Sequence, residues 1–171
     1  VASDDLIDSV LKNLYSKEFS ARAYAVVNGE YVYADAYSTS MYKVAARTYA
    51  LGETENNESY KALALNYFDS ASVKDVSLNF YDGVLDLGDI TATEKTVVIS
   101  GNNTLVLGED YTLDENGKIV FTVDYANLAK KETLFVVNDG VLTVANATHG
   151  GDVKSVSEVL SSEVNSNVVI N

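Results

Sequence analysis

The chain has 171 residues, 47% hydrophobic and 22% charged, which fits one ordinary globular domain or two small ones and excludes a disordered polypeptide. Its formal net charge of −13 argues against a nucleic-acid backbone or an anionic membrane as partner, since both attract basic surfaces. Cysteine is absent, so disulfides and thiol chemistry are excluded, and no run approaches the ~20 apolar residues of a membrane span.

The opening Val-Ala-Ser-Asp-Asp has no methionine and no signal sequence, and reads as the start of a processed or excised chain. Ser3-Asp4-Asp5 offers a capping side chain and acids suited to the positive end of a helix. Leu6, Ile7, Val10, Leu11, Leu14 and Tyr15 follow at helical spacing, predicting a helix to about Ser16.

Phe19 to Tyr37 carries the strongest local signal. Asn28-Gly29 sits between two alternating runs, as a two-residue type I′ hairpin requires. The register then pairs Val27 with Glu30, Ala25 with Val32, Ala23 with Ala34 and Ala21 with Ala36. On the other face it pairs Val26 with Tyr31, Tyr24 with Tyr33 and Arg22 with Asp35. One face is nearly all alanine, and the other carries Tyr24, Tyr31, Tyr33 and Tyr37. A lone two-stranded hairpin is marginal in water, so both faces are expected to need partners.

Ser38-Thr39-Ser40 offers the next helix cap, with a stripe of Met41, Val44, Ala45, Thr48 and Tyr49 ending at Gly52. A polar loop to Ser59 leads to a third stripe of Tyr60, Leu63, Ala64, Tyr67 and Phe68. Alanines 45, 46, 50, 62 and 64 suit close packing on the alanine face of the hairpin. Residues 1–71 therefore read as a helical and β-hairpin module.

The pattern changes near Ser72. Strands are predicted at Val76–Tyr81, Thr96–Ser100, Thr104–Leu107, Tyr111–Leu113, Lys118–Val123, Thr133–Asn138 and Val141–Ala145. Turns fall at Asp82-Gly83, Gly101-Asn102, Asn116-Gly117 and Asp139-Gly140, and Asp124–Leu128 reads as a helical turn. This spacing predicts an antiparallel β-sandwich over residues 72–149. Residues 150–171 read as an amphipathic helix, on Val153, Val156, Val159, Leu160 and Val164, followed by a short strand at Val168–Ile170. The fold class is α+β.

FSARAYAVVNGEYVYADAYSTSMYKVA resembles the closing hairpin and helix of a module repeated in large exported proteins of clostridia and related gut Firmicutes, a likeness covering residues 10–50. In that family further strands precede the hairpin, whereas here one helix does. Leu107–Thr112 and Ile119–Tyr125 resemble, more weakly, the immunoglobulin-like modules of bacterial surface proteins. The resemblance implies an extracellular or cell-surface location and a spacer or adhesion role.

Candidate chemistry is sparse. His149 lies in Thr-His-Gly-Gly, predicted to be a surface loop, and no partner acid or nucleophile elbow accompanies it. An enzyme is therefore not expected. Asp82, Asp86 and Asp89 recur in one acidic turn, and Asp110 and Asp114 flank another; calcium takes six to eight oxygens from such loops. Calcium is the one cofactor these residues suggest. Sequons at Asn57, Asn102 and Asn146 are no more than this composition gives by chance.

Tyr24, Tyr31, Tyr33 and Tyr37, with Arg22, are the candidate binding surface, since tyrosine and arginine are enriched at interfaces. The leading expectation is a non-catalytic assembly module whose partners are other subunits or neighbouring domains. Strand addition at an exposed edge, with Val168–Ile170 as a donor, is the mechanism it implies. The alternatives are a polysaccharide- or surface-binding module using the tyrosines, and a phage decoration or fibre protein.

Overall fold

The structure is a computed structural model that describes residues 4–79, 82–122, 131–150, 152–154 and 168–170. It is α+β. Helix α1 (Asp4–Ser16) leads into a ribbon of β1 (Phe19–Ala21), β2 (Tyr24–Val27), β3 (Glu30–Tyr33) and β4 (Tyr37–Thr39). Helices α2 (Met41–Thr54) and α3 (Glu58–Leu65) follow. Next come β5 (Ser70–Asn79), β6 (Val84–Asp86), β7 (Val97–Ser100), β8 (Asn103–Thr104), β9 (Tyr111–Leu113), β10 (Ile119–Phe121), β11 (Lys131–Asn138) and β12 (Val141–Gly150). Finally β13 (Asp152–Lys154) pairs in parallel with β14 (Val168–Ile170).

Strands β5 to β12 form one sheet ordered β8-β7-β11-β12-β5-β6-β10-β9. Neighbours are antiparallel except β12 and β5, which run parallel. The sheet curls on itself. Val98, Leu134, Val136 and Ala145 from one half share a buried cluster with Leu78, Leu85, Ile119 and Phe121 from the other. A local bridge between Leu107 and Tyr111 shapes the turn that carries the chain from β8 to β9.

Alternation fixes what lies on the outer face. Residues between Val98, Leu134 and Val136 in register, namely Val97, Ile99, Phe135 and Val137, point away from the curl. With Leu142 and Val144 they bury against Tyr42, Ala45, Ala46, Ala50, Ala64 and Phe68 of the helical segment. Ser40 caps α2 by accepting the Lys43 N–H at 3.2 Å, and Asn57 caps α3 by accepting from Ser59 and Tyr60. The Lys12–Asp69 ion pair, 2.7 Å, ties α1 to the segment entering β5.

This packing corrects the expected role of the alanines. Ala45, Ala46, Ala50 and Ala64 let the helices approach the large sheet, not the hairpin. The sheet wins because it presents Phe, Leu, Ile and Val, and apolar burial scales with area removed from water. Gly52 is likewise not a terminator. It lies inside α2 and is buried, where an added Cβ would stand 2.7 Å from Lys61 Cγ and 3.0 Å from the Asn57 carbonyl.

Other expectations shift in detail. β6 has no counterpart among the expected strands, and β5 and β12 are longer than their apolar cores suggest. β8 ends at Thr104 instead of running to Leu107. His149 lies in β12 opposite Leu78, not in a loop. Val153 lies in strand β13, so the predicted C-terminal helix does not begin there; its remaining apolar positions, like Ser3 and Asp124–Leu128, fall outside the described residues.

Candidate functional site: the exposed ribbon

The ribbon projects from the base formed by β1 and β4. The Asn28-Gly29 turn has φ of 52° and 87°, the left-handed pair that a type I′ turn needs. Tyr24 pairs with Tyr33, Ala25 with Val32, Val26 with Tyr31 and Val27 with Glu30, the register read from sequence. The Ala34 N–H donates to the Ala23 carbonyl at 2.9 Å, continuing the ladder by one pair.

Beyond that pair the expected register fails. Ala21 stands opposite Tyr37, not Ala36. Asp35 and Ala36 together therefore oppose the single Arg22, which is a β-bulge. Freed from a direct partner, Arg22 lies over the Tyr33 ring, 4.0 Å from its centroid. That contact is worth ~0.5–1 kcal/mol at an exposed site.

Three of the four predicted tyrosines come together. Tyr24 lies 5.3 Å from Tyr31 and 5.9 Å from Tyr33, while Tyr31 and Tyr33 stack at 6.2 Å. Their relative exposures are 61%, 62% and 50%. Tyr37 is carried elsewhere by the bulge, and its hydroxyl accepts a 2.8 Å bond from Arg47 of α2. Every residue from Lys17 to Ser38 is exposed, on both faces of the ribbon. Among the described residues no other strand pairs with β2 or β3.

The ladder also shows which backbone groups are used. Antiparallel pairs alternate between hydrogen-bonded and non-hydrogen-bonded. Since Ala23 and Ala34 are a bonded pair, Ala25–Val32 and Val27–Glu30 are too. The N–H and C=O groups of Tyr31 and Tyr33 therefore point outward along the free edge of β3. Those of Tyr24 and Val26 do the same along β2.

A second feature was not legible in the sequence. A cleft of about 610 Å³ lies between the ribbon base, the start of α2 and the chain leaving β8. Lys43, Arg47 and Lys95 line it with Glu18 and Glu94. Lys43 is bonded to Glu18. They come from three separate stretches, Glu18, Lys43 with Arg47, and Glu94 with Lys95, so no single local pattern announces them.

The acidic turns serve the backbone. Asp82 Oδ1 accepts the Val84 N–H at 3.1 Å, and Asp86 Oδ1 accepts that of Gly88 at 2.9 Å. Asp110 Oδ2 accepts the Val106 N–H at 2.7 Å. Asp114 Oδ1 accepts from Lys118 at 2.7 Å and Asn116 at 2.9 Å, and these bonds hold its carboxyl below the usual range. Asp89 pairs with Lys74 at 3.0 Å, which lowers its pKa as well. Among the described residues no group of three or more His, Cys, Asp or Glu could hold a metal. No helix of the described residues is long and apolar enough to cross a membrane.

No protein-family model, no curated protein and no solved structure matches the chain.

Proposed function

We propose that this chain is a non-catalytic assembly module of an exported bacterial surface protein, working by protein–protein contact through the ribbon. One observation carries the reading. Among the described residues, a hairpin that is marginal alone stands with both faces and both edges uncovered, held out from a separately packed body. Apolar residues at such a site mark contact surfaces. The sheet would be the rigid spacer that presents it. Its order supports an immunoglobulin-like reading: β5-β6-β10-β9 follows the order of that fold's four-stranded sheet and β7-β11-β12 that of its three-stranded one, although here the parallel β12–β5 pair joins them into one curled sheet.

Static light scattering on the purified chain, with electron microscopy of the same samples, tests this. The expected result is a mass that rises above 18.5 kDa with concentration and a Tyr31→Ala/Tyr33→Ala variant that stays at that mass. A wild-type chain that remains at 18.5 kDa throughout contradicts assembly between copies.

A polysaccharide-binding reading has one specific observation behind it. The rings of Tyr31 and Tyr33 lie nearly parallel, 21° apart, with Tyr24 edge-on beside Tyr31, an exposed aromatic cluster that a sugar ring could rest on. Affinity electrophoresis against glucans and mucins is the check. Retardation lost in Tyr31→Ala/Tyr33→Ala supports it; no retardation removes it.

A further inference from the structure

We propose that the ribbon's partner is a second copy of this chain, paired antiparallel through the β3 edge about a two-fold axis at Val32. The inference rests on the assembly reading above and specifies its geometry. The outward backbone groups of β3 belong to Tyr31 and Tyr33, as the bonded pair Ala23–Ala34 and the β2–β3 register require. An added strand must place its own outward residues opposite these. Two copies of β3 do so in a register that sets Tyr31 against Tyr33 of the second copy, and Tyr33 against its Tyr31. Each of these pairs exchanges both N–H···O bonds. Val32 then faces Val32 of the second copy as a non-hydrogen-bonded pair.

Side chains agree with that register. Residues directly opposite point to the same face, so the tyrosine rows of both copies join into one surface, with Tyr31 beside the second copy's Tyr33. Aromatic cross-strand pairs are favourable. Glu30 falls opposite Ala34, so no like charges meet. The β2 edge offers only Tyr24 against Val26 in the equivalent arrangement. Neither edge carries a lysine or proline of the kind that blocks edge pairing, and the one charge on β3, Glu30, stands at its end. Residues 19–39 contain only Arg22, Glu30 and Asp35 as charged groups in a chain of net charge −13. With one arginine against one glutamate and one aspartate the ribbon is nearly neutral, so two acidic copies meet there with little local repulsion. The remaining repulsion is screened over ~10 Å at 0.1 M salt, so pairing strengthens as salt is added. A contact this short lies at the small end of interface sizes, below about 1,200 Å², so the pair forms and dissociates with concentration.

The chain has no cysteine, which makes single-cysteine trapping specific. Non-hydrogen-bonded pairs bring Cα atoms to ~4.5 Å, within disulfide range. Val32→Cys and Ala25→Cys are exposed neighbours on the same face of the ribbon, and each would sit on the two-fold of pairing through its own edge. Both variants are checked for native circular dichroism and oxidised at equal concentration. Val32→Cys should form the disulfide-linked dimer about tenfold faster than Ala25→Cys, because pairing raises its effective concentration, and the advantage should grow at 0.5 M NaCl. Equal rates, or faster linking of Ala25→Cys, overturn the β3 pairing. If light scattering still shows association in that case, assembly stands and uses another surface. If it shows none, both readings fall.

Discussion

Phe135→Ala probes whether the helices and the sheet are one folding unit. Phe135 is 4% exposed on the outer face of β11, and its ring meets Tyr49 of α2 edge-on at 6.0 Å. Removing a buried phenylalanine side chain costs about 3–5 kcal/mol, including the cavity left behind. At about 2–4 °C per kcal/mol for a chain of this size, the melting temperature should fall by about 6–20 °C. The cavity opens between α2 and the sheet, so both should lose stability together. Helical circular dichroism at 222 nm reads the helices, and the NMR signals of the Val136 and Ala145 amides read the sheet, both followed through one urea titration. Coincident transitions shifted to lower urea are expected. A helical transition that separates from that of the sheet, or a loss under about 1 kcal/mol, would refute the shared core of α2, β7, β11 and β12.

Other variants isolate other features. Gly52→Ala should destabilise by ~1–3 kcal/mol through overpacking against Lys61 and Asn57, despite the ~1 kcal/mol gain in helix propensity; a more stable variant in urea would show that α3 yields at that contact. Gly29→Val places a β-branched side chain at φ 87°, so it should abolish amide protection in the ribbon while leaving the global unfolding midpoint unchanged. Asp114 has a folded pKa below its unfolded value, so its contribution is present above the ordinary carboxylate pKa of ~3.9 and is lost as pH falls through the lower folded value. The melting temperature of Asp114→Ala should therefore fall below that of wild type at pH 7 and converge with it in acid; a constant gap would contradict the turn bonds as its origin. Because Asp82, Asp86, Asp110 and Asp114 each accept backbone N–H groups, millimolar EDTA or calcium should leave the melting temperature unchanged.

Local chemistry was readable from residues alone, and long-range choice was not. Asn28-Gly29 specified a turn and a register through backbone sterics, and both are present. Ser40 announced α2 by its capping hydroxyl. The bulge at Asp35-Ala36 carried no signal, because neither glycine nor an unusual residue marks it. It moved Tyr37 away from the other tyrosines. The alanines of α2 signalled close packing but not against what. That choice depended on the outer face of β7, β11 and β12, whose residues come from distant parts of the chain. Gly52 looked like a helix end because a terminating glycine and one accommodating a neighbouring chain are the same residue in a sequence. The outward groups of Tyr31 and Tyr33 were implicit in the predicted register, once one bonded pair fixed the alternation.

The ribbon as a contact edge is tested most directly by amide exchange at Tyr31, Val32 and Tyr33, read by NMR in a concentration series. The Val32 N–H lies inside the hairpin and should be protected to a similar extent throughout. The Tyr31 and Tyr33 amides face outward and should exchange freely when dilute, then gain protection together as concentration and salt rise. Free exchange of both at every concentration, beside a protected Val32, would contradict the claim.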